Sequence, residues 1–153
     1  MLTVNIQDAQ LQQKIAAAHA RPSDLHPLLD SIGAMMESNV RKRFSTRKDP
    51  DGQSWQPWAE KTIATYPKKG AHKRLLDRYG DMIKSLSHTV TGADSVRIGF
   101  GQPYAVYHEF GTKNMPRRGM LMSNPDAGTL SASDEKQVLS IVQKFIDKSG
   151  SAE

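Results

Sequence analysis

The chain of 153 residues has no cysteine, which excludes disulfides and thiolate metal sites and suits a reducing compartment. No apolar run approaches the roughly 20 residues needed to span a bilayer, so no membrane partner is expected. The opening "MLTVNIQDAQ" has neither a basic n-region nor an apolar h-region, so nothing marks it for secretion. Catalytic signatures are missing as well. There is no GxSxG and no P-loop, and "GFGQP" sets Pro103 where a phosphate-binding loop needs another glycine, which reads as a plain turn. The five histidines (His19, His26, His72, His88, His108) form no HExxH or other close ligand pair. His108 and Glu109 are adjacent, so they point apart on a helix and to opposite faces of a strand. No acidic pair is placed for acid–base work. The expectation is a non-enzyme with no catalytic residue, metal or cofactor. A metal-dependent hydrolase built on His108 and Glu109 is the weakest reading kept.

What the chain does have is unevenly placed charge. The formal net charge is +5, yet residues 41–78 hold eleven Lys or Arg against four acids, a local +7. Such asymmetry points to a polyanion or an acidic partner, set against the plainer reading of a solvated basic loop. Arg41, Lys42, Arg43, Arg47, Lys48, Lys68, Lys69, Lys73 and Arg74 are the DNA-facing candidates. Trp55, Trp58 and Tyr66 lie among them, and basic residues with interleaved aromatics suit single strands. No helix-turn-helix or zinc pattern accompanies them, so any such contact is expected to be nonspecific.

Periodicity gives an α+β domain, a small and mostly antiparallel sheet packed on two long amphipathic helices. "LTVNI" (2–6) suits an edge strand, and "DAQLQQKIAAAHA" (8–20) suits a helix capped by Asp8. Leu25, Leu28, Leu29, Ile32, Met36, Val40 and Phe44 make one apolar stripe on a helix opened at Pro22 or Ser23, with Gly33 beside the stripe allowing close packing. Residues 45–74 form a long basic loop in which "AEKTIATY" (59–66) is a short helix and 67–74 looks mobile. Within it, Trp55 and Trp58 either pin the loop to the core or form a contact surface. "LLDRYGDMIKSL" (75–86) is helical in its second half, and 85–100 is a β-hairpin turning at "GAD". Ser131 or Ser133 caps a final helix ending near Gly150. The whole, 1–153, reads as one domain.

"QPYAVYHEFGTKNMPRR" (102–118) allows a helix, with Tyr104, Tyr107, His108 and Gly111 on one face, or a strand with Tyr104, Val106, His108 and Phe110 sharing one. Helical turns running into an extended segment are favoured, followed by a projecting loop (111–120) with a basic tip.

Four elements in order then resemble the phage virion morphogenesis family, the tail-completion proteins of Mu-like contractile-tail phages and prophages. They are "DPDGQSWQPWAEKT" (49–62), "LLDRYGDMIKSL" (75–86), "VRIGFGQPYAVYHEFGT" (96–112) and "MPRRGML" (115–121). The resemblance implies a non-enzymatic structural protein that completes the tail or joins head and tail. It implies a homo-oligomeric ring, commonly six-fold, in contact with tail tube, terminator or head-connector proteins. Its setting would be the virion, after assembly in the host cytoplasm. Head-to-tail ring contacts are heterologous, so two different surfaces of one protomer are needed. Trp55, Trp58, Lys113, Met115, Arg117 and Arg118 are the protein-contact candidates, while Tyr104, Tyr107, His108, Phe110 and Gly111 are assigned to structure. A small nonspecific nucleic-acid-binding protein using residues 41–78 is the alternative.

Overall fold

The computed structural model describes residues 2–5, 25–91 and 95–151. The helix expected at 8–20, its neighbour's opening at 22–24 and the "GAD" turn lie outside them. The described chain runs β1 (Leu2–Asn5), α1 (His26–Thr46), α2 (Glu60–Thr65), α3 (Asp81–Lys84), β2 (Leu86–Thr91), β3 (Ser95–Phe100), α4 (Ala105–Phe110) and α5 (Ala132–Ser151). This is an α+β fold around a three-stranded antiparallel sheet in the order β1-β3-β2.

Alternation sets the sheet. Leu2 pairs with Phe100, Val4 with Ile98, Leu86 with Phe100, His88 with Ile98 and Val90 with Val96. These residues share one face, because side chains in register point the same way. That face meets the stripe of α1, where Leu28, Leu29, Ile32, Met36, Val40 and Phe44 are buried as their spacing predicts. Among the described residues, His88 is the one polar residue on the face. It fits because a Cβ on Gly33 would stand 2.3 Å from its ring, so glycine is what lets α1 approach β2 there. The imidazole bridges two carboxylates of α1, with Nε2 2.8 Å from Asp30 and Nδ1 against Glu37. Burial pulls its pKa down, but the hydrogen bonds and charges of Asp30 and Glu37 outweigh this and raise it.

The second long helix, α5, packs against α1 rather than standing beside it on the sheet. Ser131 is its cap, with its hydroxyl receiving the Asp134 N–H at 3.1 Å, and the helix runs through Gly150 to Ser151. The seam between the helices is polar in part. The Asn39 amide donates to Asp134 and Gln137, each at 3.1 Å. Arg43 pairs with Asp134 and donates to Met120 O at 2.8 Å.

The 45–74 stretch is more ordered than its composition suggests. Asp49 receives the N–H groups of Asp51 and Gln53, both at 2.9 Å, closing a turn. Trp58 stacks on Tyr66 with centroids 4.7 Å apart, and the Tyr66 hydroxyl bonds His72 O. These contacts tie 67–74 at both ends despite its few apolar residues.

Candidate functional site

The 102–118 segment is helical in its first half. Tyr104 caps α4, and Gly111 ends it at φ +76°, where a Cβ would stand 2.9 Å from the Arg117 nitrogen. Six residues give a helix one inward face. Ala105 and Glu109, four apart, occupy it, and both are fully buried. The Glu109 carboxylate is the fixing point of the region. Its Oε2 accepts the Met120 N–H at 2.6 Å, its Oε1 accepts Met122 N–H at 2.8 Å, and Leu121 N–H lies 3.2 and 3.3 Å from the two oxygens. Burial pushes the carboxyl pKa up, against the pull of those three N–H groups and of Arg117.

The expected basic tip folds back. Arg117 donates through Nε to Glu109 O at 2.8 Å and through Nη2 to Met122 O at 2.5 Å. Arg118 is buried and donates to Gln56 O at 2.8 Å and to Pro57 O at 3.0 Å. Neither guanidinium therefore reaches outward as 111–120 was expected to do. Each satisfies main-chain carbonyls that the loop would otherwise leave bare. What projects is a short turn closed by the Thr112–Met115 bridge, with Lys113 exposed and Met115 half-buried. Trp55 belongs inside as well. It is 5% exposed, meets Phe44 edge-on at 5.5 Å and donates its indole N–H to Gly119 O at 2.9 Å. It pins the loop and offers no ring to a partner, whereas Trp58 is half-buried against Tyr66.

Correspondingly, three of the five residues assigned to internal structure face out, while His108 is half-buried and Gly111 ends the helix. Tyr104 is 40%, Tyr107 57% and Phe110 43% exposed, along one side of α4. The helical face expected to pack inward joins Tyr104 and Tyr107 to His108 and Gly111, and the two tyrosines instead meet water. The signal that finds the true inward face is the Ala105–Glu109 pair, a small residue and an acid in phase among aromatics. His108 lies between the two faces and makes an edge-on contact with Tyr104 at 6.4 Å. Burial, with the Arg118 charge adding to it, lowers its pKa. Its partner in the hydrolase reading, Glu109, is fully engaged with backbone. No group of three or more ligating side chains that could hold a metal occurs among the described residues.

Of the nine DNA-facing candidates, Arg43 is misassigned. It is buried in the α1–α5 seam because Asp134 and Met120 O lie there. Arg41, Lys42, Arg47, Lys48, Lys68, Lys69, Lys73 and Arg74 are exposed, although Arg74 lies 3.0 Å from the Asp77 carboxylate.

The family model for phage virion morphogenesis proteins matches residues 6–147, nearly the whole chain. The chain belongs to the phage virion morphogenesis family. No curated protein and no solved structure matches it. Membership in the phage virion morphogenesis family gives the chain a phage structural or assembly role. In this member of the family, the α4–loop clamp holds an outward aromatic face in place.

Proposed function

We propose that this protein completes the phage tail or joins head and tail, acting as a non-enzymatic structural component that assembles with copies of itself into a ring. The observation that carries the reading, beside family membership, is the outward aromatic side of α4. Tyr104, Tyr107 and Phe110 leave a large apolar area in water on a helix whose other side is held by buried hydrogen bonds. Aromatic patches on a rigid support are typical of interface centres. Tail or head-connector proteins are the further partners, and the particle is the place of action. Deleting the gene should leave separate heads and tails, or tails with abnormal ends, in electron micrographs of lysates. Normal infectious particles from the deletion would refute the reading.

A second reading has its own support in the nine exposed cations between residues 41 and 74, the eight exposed candidates and Lys61. In a ring they would serve DNA that passes without being read. Micromolar binding to random DNA at about 150 mM salt, weakening steeply with added salt, is the expected sign of it as a main activity.

A further inference from the structure

A cleft of about 670 Å³ opens beside α4, walled by α2, the 74–82 segment and the 114–118 turn. Its size is that of a site for a few side chains or a small molecule. Trp58, Tyr66, Tyr79 and Tyr104 give it aromatic walls, and Met115 adds a soft apolar one. Arg118 and His108 line it together, joined by the Arg118 N–H on His108 O at 2.8 Å.

Two features leave this cleft unfinished in the isolated chain. The His108 Nδ1 atom is buried without a hydrogen-bond partner, an unfavourable state for a polar atom. Arg118 uses Nε and Nη2 on carbonyls, while Nη1 has no hydrogen-bond partner among the described residues. A carboxylate accepts from a guanidinium edge and from an imidazole N–H. The terminal torsion of a histidine is soft, so the ring can turn Nδ1 toward an incoming oxygen.

Charge selects among ligands. Arg74, Arg78 and Arg118 on the lining face Asp77 and Asp81, which leaves one positive charge. A single carboxylate balances it, whereas the repeated phosphates of a nucleic acid overshoot it and meet both aspartates. We propose that the cleft binds a peptide segment of a partner protein that presents one carboxylate to Arg118 and His108 and an apolar or aromatic side chain to the tyrosine and tryptophan walls. That the segment comes from another protein of the particle rests on the assembly reading above; the chemistry of the cleft does not.

The test is fluorescence anisotropy with short labelled peptides that tile the tail and connector proteins encoded with this chain. Each binder is remade with Asn and Gln for its acids, and a poly-dT oligonucleotide is titrated beside them. Met115, half-buried at the cleft wall with a side chain that makes no hydrogen bond to Thr112, carries the variants. The expected results are binders that pair one acidic residue with an aromatic one, at least tenfold weaker as amides. Met115→Glu should weaken them tenfold or more and Met115→Lys should not, with both variants melting as the wild type does. The proposal falls if no peptide binds, if the amide peptides bind as well, if Glu and Lys act alike, or if the oligonucleotide binds tighter than every peptide. Absence of peptide binding together with separated heads and tails in the deletion would remove the cleft proposal and leave the assembly reading intact.

Discussion

Glu109 and His88 are both ionisable residues that join segments distant in sequence, yet their surroundings differ. Glu109 is sealed, and every partner it has is main chain or the guanidinium of Arg117. His88 stands at the edge of the α1–β2 contact, and one of its carboxylates, Asp30, is mostly in water. A sealed group cannot exchange a lost partner for water, while a rim group can. The first arrangement therefore fixes one conformation of a loop, and the second adjusts a contact that apolar packing already holds.

Arg43 belongs with Glu109 in this comparison, and its removal should have the largest effect. Arg43→Met leaves Asp134 buried without its cation, at a cost of about 4 kcal/mol. In thermal unfolding this is a drop on the order of 10 °C. Replacing both partners by Met and Leu should recover most of it, because no bare charge remains. Next, Glu109→Gln keeps the shape but turns an NH₂ toward an N–H in either orientation, since both oxygens are in use. About 3 kcal/mol should be lost. A smaller loss would mean that the loop can reshape, and the distinction between sealed and rim groups would fail.

Gly33→Ala tests the rim from below. The methyl group gains helix propensity but collides with the His88 ring, for a net loss of about 1–2 kcal/mol in chemical denaturation. Adding His88→Ala should make the same substitution harmless.

The pH dependence should be gentler still. The folded pKa of His88 is raised above its ordinary 6.5, so its contribution is fully present below that value and fades as pH rises through the folded pKa. Unfolding midpoints should therefore decline across that window, and His88→Gln should flatten the slope. Least of all, Tyr107→Ser should leave the unfolding free energy within about 0.5 kcal/mol of the wild type. On the proposed ring reading, sedimentation should show this variant unable to self-associate, which would separate the outward face of α4 from the clamp beneath it.

Much of the fold was legible because periodicity is a local signal. The α1 stripe, the hairpin alternation and a serine cap at 131 or 133 each follow from residues close in sequence, and the structure takes Ser131. Gly33 could be read as a close-packing site, though what it approaches could not. The division of the 102–118 segment was misjudged at both ends. Aromatics usually turn inward and arginines outward, but here a carboxylate meets bare N–H groups and two guanidiniums meet bare carbonyls. Those partners, Gln56, Pro57 and residues 120–122, are backbone atoms, and backbone atoms leave no mark in a sequence. Arg43 was misjudged for a related reason, as its acid lies 91 positions away on another helix.

The stitching of residues 55–58 to 118–119 has a mechanical side. The Trp55 indole holds Gly119, Arg118 holds Gln56 and Pro57, and Phe44 backs the indole from α1. A pull on the 112–115 turn is thus shared between two stretches of chain and delivered to α1, instead of peeling one loop away residue by residue. Bonds loaded side by side must break together, so a contact made at that turn would yield abruptly rather than creep.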